Sequence, residues 1–165
     1  MGYCLNGQAR LVLQDCHFAL REFAGDIQGA RWRIIYMANV ALLRAVYHVL
    51  ESRDVPTNAK LNQSFNTWKV ELLRTKPTPE IYWKFIVDER NQILKEYAAT
   101  RVTNSVVSDI RFDLSTGKAE DLGNARQQYT MAEGHFAGQE QRYLIKCAIE
   151  WWELELQKLE RASAA

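Results

Sequence analysis

The sequence is poor in the residues that cross-link, ligate metals or interrupt helices. It holds three cysteines, three histidines and three prolines among 165 residues. Cys4, Cys16 and Cys147 are odd in number and form no CxxC spacing, so neither a disulfide framework nor a zinc site is indicated. Free thiols are typical of a reducing compartment, and we therefore expect a cytoplasmic protein.

Catalytic and membrane signatures are missing as well. The chain has no GxSxG, P-loop, GxGxxG or HExxH motif, and its histidines are scattered, so we predict no metal and no cofactor. The longest mostly apolar stretch, 34–43, is too short to span a bilayer and contains Asn39. The N-terminus lacks a basic region followed by an apolar run, and Asn6 stands where myristoylation favours Ser or Thr. We expect no membrane partner.

The overall composition is that of an ordinary globular domain. Apolar residues make up 47% and charged residues 25% of the chain, values that suit a single domain over 1–165 with a sizeable core. Lysine and arginine number 21 against 20 acidic residues, a formal charge of +1. This balance argues against a uniformly basic nucleic-acid binder but leaves room for a local basic patch.

Apolar residues recur at helical spacing in most of the chain. The pattern predicts helices at 8–23, 27–53, 59–75, 79–97 and 139–162. Short connections join the first four, which is typical of a helical bundle, so we predict an all-α fold with a core bundle at 8–97. Asn39 lies within the apolar stripe of the second helix, where it should form a buried hydrogen bond or sit at an interface.

Two later segments depart from this simple pattern. Residues 110–114 alternate with period two, 115–118 resemble a turn, and 127–132 could supply a returning strand, so the arm at 102–138 holds either a β-hairpin or irregular chain at about 102–132. In the helix at 139–162, the expected inner face is traced by Leu144, Cys147, Ala148, Trp151 and Leu154 or Glu155, and Trp152 points partly elsewhere. Two adjacent tryptophans indicate either an intersubunit surface or a wide buried face.

The helix at 79–97 carries a charge in an unusual position. At about 100° per residue, Tyr82, Ile86, Ile93 and Tyr97 fall on one side, and Arg90 lies in the middle of that stripe. Because burying an unpaired charge is costly, the guanidinium must reach a carboxylate on a neighbouring helix, a ligand phosphate or a cleft that stays wet.

Two further pairs of polar residues, each on one helix, are candidates for ligand binding. Asn91 and Lys95, one turn apart, form a polar edge beside the stripe on the fourth helix. Arg44 and His48 are likewise one turn apart on the second helix, where they either reach a common ligand or form a solvated edge.

Arg90-Asn91, three residues, then Lys95-Glu96-Tyr97 resembles the signature helix of the HEPN superfamily (higher eukaryote and prokaryote nucleotide-binding domains). That pattern is an Arg, commonly a polar residue such as Asn, four to six further residues and then His, continued in one large branch by any residue and Tyr. Arg90, Asn91 and Tyr97 match it. Lys95 stands at the position of the His.

The resemblance implies an HEPN-like bundle of four to five helices that forms a homodimer, because signature helices of two chains commonly meet across a cleft in that family. Many members are metal-independent ribonucleases, and others are partners without activity. By this resemblance Arg90 and Lys95 would be the catalytic residues. The expected ligand-binding residues, including the pair on the second helix, are Arg90, Asn91, Lys95, Tyr97, Arg44 and His48.

The missing histidine decides between the functions. A lysine with an ordinary pKa near ~10.4 is charged at neutral pH and cannot act as a base. We therefore expect a non-catalytic module that dimerises through the fourth helix and binds a nucleotide, an RNA or a protein partner. The alternatives are a metal-independent endoribonuclease, in which Arg90 stabilises phosphate charge and Lys95 or His48 transfers protons, and a purely structural oligomerisation protein.

Overall fold

A computed structural model of the chain describes residues 7–23, 27–97, 102–123 and 125–164, and the structural statements below refer to these residues. The predicted helical fold with a small arm is confirmed, and the arm is a β-ribbon. The helices are α1 (Gln8–Glu22), α2 (Gly29–Val49), α3 (Ala59–Arg74), α4 (Asp88–Glu96) and α5 (Gln141–Ala164). The strands are β1 (Val102–Val107), β2 (Ile110–Asp113), β3 (Lys118–Asp121) and β4 (Arg126–Met131).

Two of the helices, α1 and α3, begin at side chains that accept hydrogen bonds from their first backbone N–H groups. The Asp54 carboxylate accepts hydrogen bonds from the backbone N–H of Gln8 at 2.8 Å and of Ala9 at 2.9 Å. This contact ties the start of α1 to the chain that follows α2, and a carboxylate there also suits the helix dipole. Asn58 caps α3, because its Oδ1 accepts from the N–H of Leu61 at 3.0 Å.

Two of the predicted helices contain wide turns. The helix of α2 continues through a π-helical segment, Leu50–Asp54, and a short 3₁₀ turn, Val55–Thr57. The predicted helix at 79–97 starts with a π-helical segment, Ile81–Val87, before α4. Wider turns change the angle between successive side chains, so an apolar stripe extrapolated at 100° per residue drifts along such a helix.

Tyr97 does not complete the buried stripe. Tyr82, Ile86 and Ile93 are buried as expected. Tyr97 ends α4 in a left-handed conformation, with φ of 49°, and its side chain is 62% exposed.

The core lies between α2, α5 and the helices around them. Leu144 and Ala148 of α5 are buried as predicted, but the inner face turns toward Ile145, Ile149 and Trp152. Trp152 is fully buried and donates its indole N–H to the carbonyl of Leu43 at 2.9 Å. Trp151, expected to point inward, is only partly buried. The two tryptophans thus belong to a wide buried face, and the interpretation that favoured Trp151 for the core was wrong by one position.

Asn39 is fully buried and confirms the predicted hydrogen bond. Its Nδ2 donates to the carbonyl of Ala19 on α1 at 3.2 Å and to that of Ile35 at 2.9 Å. It therefore links α1 to α2 through the core. Length and composition alone would let the segment Gly29–Thr57, which contains α2, cross a membrane; central helices of helical bundles satisfy the same criterion.

The arm is an antiparallel ribbon in two halves. At its base β1 pairs with β4, from Val102 opposite Met131 to Val107 opposite Arg126. The predicted returning strand at 127–132 thus pairs with β1 and not with 110–114. The partner of β2 is β3, because a tight turn returns the chain at once, with the N–H of Gly117 donating to the carbonyl of Asp113 at 2.8 Å.

Only the base of the ribbon packs against the helices. Tyr129 of β4 is buried, its ring stacks on Trp32 with centroids 4.5 Å apart, and its hydroxyl donates to the carbonyl of Ile27 at 2.8 Å. By contrast, every residue of β2 and β3 is exposed.

Candidate functional site

Three of the residues singled out on the second and fourth helices meet at one open pocket between α2 and α4. Its volume is about 490 Å³. Three basic side chains line it, Arg44 and His48 from α2 and Arg90 from α4. The remaining lining is apolar: Met37, Ala38, Val40, Ala41, Ala45, Ile93 and Leu94. We call this site the arginine pocket.

Aromatic side chains hold Arg44 in place. Its Nη1 donates to the hydroxyl oxygen of Tyr82 at 2.5 Å. The guanidinium carbon lies 4.8 Å from the ring centre of Tyr47 and 5.7 Å from that of Tyr82. Burial raises the pKa of Tyr82, so its hydroxyl stays protonated and neutral. Cation–π contacts of this kind orient a guanidinium without neutralising it.

Arg90, like Arg44, is positioned by a neutral side chain. It is half-buried on α4, and its Nη1 donates to Oδ1 of the neighbouring Asn91 at 3.2 Å. Among the described residues, no carboxylate lies within ion-pairing distance of Arg90 or of Arg44. In the described chain, each of the two arginines therefore has guanidinium N–H groups available to an anion in the pocket.

His48 completes the basic lining. Partial burial lowers its pKa, the positive charges of Arg44 and Arg90 lower it further, and Glu51 offsets part of this. Glu51 itself is bound elsewhere, since Lys69 Nζ lies 2.5 Å from its Oε1. The imidazole is therefore neutral at pH 7 and can still take up a proton when a negative charge enters the pocket.

The structure separates the other predicted site residues from this group. Asn91 touches Arg90, but Lys95 is exposed on α4 and lies outside the pocket lining. Tyr97 contacts Arg33, whose guanidinium carbon lies 5.8 Å from the tyrosine ring centre. Arg44, His48 and Arg90 are thus brought together, with Asn91 beside them, and Lys95 and Tyr97 are not.

Two tyrosines that hold Arg44 were not singled out from the sequence. Tyr47 follows Arg44 by three positions, a spacing that puts both on one side of a helix and could have indicated the contact. Tyr82 lies in another helix, and its contact depends on how the helices pack. No local pattern indicates it.

Metal chemistry finds no candidate ligands in the described part of the chain, where no group of three His, Cys, Asp or Glu side chains could hold an ion. Comparison with known proteins adds no assignment, because no family model, curated protein or solved structure matches the chain. The HEPN resemblance of Arg90, Asn91 and Tyr97 therefore remains a prediction from the sequence.

Proposed function

We propose that the arginine pocket binds a phosphate group of an RNA or a nucleotide, and that the protein acts as a binding module. One observation carries the proposal: Arg44 and Arg90 converge on an open pocket with no carboxylate beside them among the described residues. A half-buried guanidinium without a counter-ion is unfavourable, so a site that keeps two of them is suited to an anion that comes and goes.

The shape and lining of the pocket favour a phosphate that is attached to something larger. Guanidinium groups match the oxygens of a phosphate through paired hydrogen bonds. Met37 and Leu94 add apolar surface beside the charges, on which a base or a ribose can lie. An open pocket of about 490 Å³ would take one nucleotide of a longer strand.

The direct test is binding of a labelled single-stranded RNA that carries a 5′-hydroxyl, followed by fluorescence anisotropy at two salt concentrations. We expect binding that weakens with salt, and at least a tenfold loss in Arg90→Ala, the ratio that corresponds to about 1.5 kcal/mol for one hydrogen bond to a charged group.

Arg74→Ala is the matched control, since Arg74 is an exposed arginine paired with Glu71 on α3 and its removal changes the net charge equally. Equal losses in the two variants would mean that binding follows overall charge and not this pocket. Mononucleotides titrated in parallel distinguish an RNA site from a nucleotide site.

A ribonuclease is the second candidate function, and His48 is the observation that favours it. Its lowered pKa leaves a neutral imidazole beside Arg90, which suits a general base for a ribose 2′-hydroxyl next to a charge-stabilising guanidinium. Incubation with mixed RNA in EDTA tests it. Cleavage that is lost in His48→Gln and kept in Lys95→Ala would support an enzyme, and intact RNA would leave the binding module.

The resemblance also implies a homodimer, and the charges of the pocket limit when it can form. Two copies meeting across α2 and α4 would bring both pairs of Arg44 and Arg90 to one seam, where like charges repel unless an anion lies between them. We therefore propose that this face joins two copies only when phosphate is bound. Light scattering should then show a higher mass with RNA than without it, and no change in mass in Arg90→Ala.

A further inference from the structure

The distal half of the ribbon is amphipathic, although nothing in the described chain covers it. Residues directly opposite in an antiparallel pair lie on the same face, and successive residues alternate between faces. One face of β2–β3 is therefore mostly apolar, and the other carries two pairs of opposite charge. The mostly apolar face holds Ile110, Phe112 and Ala119, with Asp121 opposite Ile110 at its end, and the charged face holds Arg111 opposite Glu120 and Asp113 opposite Lys118.

The apolar side chains of this half are unusually exposed. Ile110 is 64% exposed, Phe112 59% and Leu114, at the start of the turn, 91%. The charged face is suited to contact with solvent. Three large apolar side chains that lie close together and exposed are instead typical of contact surfaces. A two-stranded hairpin is marginally stable alone, so a further strand would also stabilise it.

The backbone hydrogen bonds identify the free edge of β2. The carbonyl of Asp113 accepts from the N–H of Gly117, and the carbonyl of Asp109 accepts from the N–H of Leu122 at 2.9 Å. Odd-numbered residues of β2 thus direct their backbone groups toward β3. Because this direction alternates along a strand, Ile110 and Phe112 present their N–H and C=O groups at the outer edge, where no strand of the described chain lies.

We propose that this edge pairs with the same edge of a second copy, antiparallel, across a two-fold axis at Phe112. The four strands would then follow the order β3, β2, β2 of the second copy and β3 of the second copy. Phe112 would stand opposite Phe112, Ile110 opposite Leu114, and Arg111 opposite Asp113. Every pair is apolar with apolar or positive with negative, the property required of a self-complementary two-fold contact.

Other pairings of the hairpin are less complementary. Moving the axis to Ile110, the other residue with outward backbone groups, sets Phe112 against Ser108 and loses the aromatic pair. Using the edge of β3 instead sets Ala119 against Ala119, which buries far less apolar surface. The free edge of β2 is thus the one whose side chains fit a second copy of this chain.

This contact shares no residue with the arginine pocket and needs no bound phosphate. It goes beyond the proposed function, and the two are separable by matched variants. Phe112→Lys should lose the dimer and keep RNA binding. Arg90→Ala should lose RNA binding and keep the dimer, so the failure of one proposal can be distinguished from the failure of the other.

The pairing register is tested by cysteine cross-linking in the full chain. Cys4 and Cys147 are first replaced by serine. Cys16 is retained, because it is fully buried and burial raises the pKa of its thiol to about 12. Ile110→Cys and Leu114→Cys proteins are then mixed under mild oxidation, which keeps Phe112 in both. The expected result is a disulfide-linked heterodimer, with much less homodimer from either protein alone.

Ala119→Cys is the matched control, on the same face but on the neighbouring strand. Cross-linking at Ala119, or equal cross-linking in the mixture and in each protein alone, would overturn the proposed register. Light scattering tests the association itself: without RNA, wild type should have twice the chain mass of 19.1 kDa at tens of micromolar, and Phe112→Lys the single mass. A wild-type monomer, or a Phe112→Lys dimer with native circular dichroism, would overturn the proposal.

Discussion

Two regions of the molecule combine arginine with histidine, and they differ in whether the positive charge of the arginine is paired with a carboxylate. Between α1 and α5, the Arg10 Nε donates to Glu160 at 2.7 Å and its Nη2 to the other oxygen of that carboxylate at 3.0 Å. A further Arg10 nitrogen pairs with Glu153, which also lies 3.1 Å from His17 Nε2. At the arginine pocket, no carboxylate of the described chain lies within ion-pairing distance of Arg44, Arg90 or His48, and Glu51, which acts on His48, is bound to Lys69.

If the arginine pocket binds phosphate as proposed, the difference separates a structural use of arginine from a ligand-binding one. The hydrogen bonds that Arg10 donates to Glu160 raise the pKa of its guanidinium more than burial lowers it, so this guanidinium is stabilised in the folded chain itself. The pocket arginines are positioned by Tyr82 and Asn91, which are neutral groups. Neutral partners fix direction and leave the charge available.

The largest expected effect is the loss of RNA binding when both pocket arginines are removed. Arg44→Ala combined with Arg90→Ala should weaken binding at least ~100-fold, because each hydrogen bond from a charged group contributes about 1.5–3 kcal/mol. Stability in urea should fall by about 1–3 kcal/mol, because Arg44→Ala leaves the hydroxyl of the buried Tyr82 without its hydrogen-bond donor. Binding measured by anisotropy that survives the double substitution would remove the distinction between the two regions.

Arg10→Ala should destabilise the fold without weakening RNA binding. It leaves Glu160, whose side chain is only 16% exposed, without its paired hydrogen bonds, at a cost of about 2 kcal/mol in the free energy of unfolding. Urea denaturation measures this. Arg31→Ala is the control, because Arg31 is 71% exposed and lies 3.8 Å from Glu22. Equal stability of the two variants would show that the α1–α5 pairs are not structural.

The helices and their buried faces were largely predictable, because helical periodicity is a local property of the chain. Asn39 and the stripe of Tyr82, Ile86 and Ile93 followed from it. Periodicity failed at the end of α4: Ile93, beyond the π-helical segment, is buried as predicted, but the left-handed conformation of Tyr97 takes its side chain out of the buried stripe.

Non-local relations were the part that the sequence could not supply. Pairing 127–132 with β1 instead of β2 depends on where a turn forms between distant segments. The convergence of Arg44 and His48 with Arg90 likewise depends on α2 packing beside α4. Sequence reasoning named all three side chains among the ligand-binding residues, but it also included Lys95 and Tyr97, which the structure leaves outside the pocket.

A smaller effect is expected from pH, through His48. Its lowered pKa means that the folded free protein binds this proton less readily than the unfolded chain, so His48's contribution to stability is present above about pH 6.5 and is lost as pH falls through the lowered pKa. A bound phosphate reverses the preference by favouring the imidazolium. Affinity for 5′-hydroxyl RNA, whose phosphodiesters do not titrate here, should therefore rise several-fold from pH 8 to pH 5.5.

His48→Gln isolates this contribution. The variant should bind RNA with an affinity that is flat over the same pH range, and Arg74→Ala should keep the wild-type slope. A pH dependence that persists in His48→Gln would assign the effect to another group.

The smallest effects are expected at the two predicted residues that the structure leaves outside the pocket. Lys95→Ala and Tyr97→Phe should change RNA affinity by no more than about twofold at 0.15 M salt, because both side chains are exposed and lie outside the pocket lining. Filter binding measures both. A tenfold loss in Lys95→Ala would extend the site along α4 and weaken the contrast drawn from the pocket alone.

The most direct measurement is an NMR titration that follows the side-chain Nε–Hε signals of Arg10, Arg44 and Arg90 as a 5′-hydroxyl RNA is added. The signals of Arg44 and Arg90 should shift and sharpen with saturation, because phosphate hydrogen bonds slow the exchange of their protons. The Arg10 signal, already bonded to Glu160, should stay in place. Pocket arginines that do not respond, or an Arg10 that shifts equally, would contradict an open phosphate site between α2 and α4.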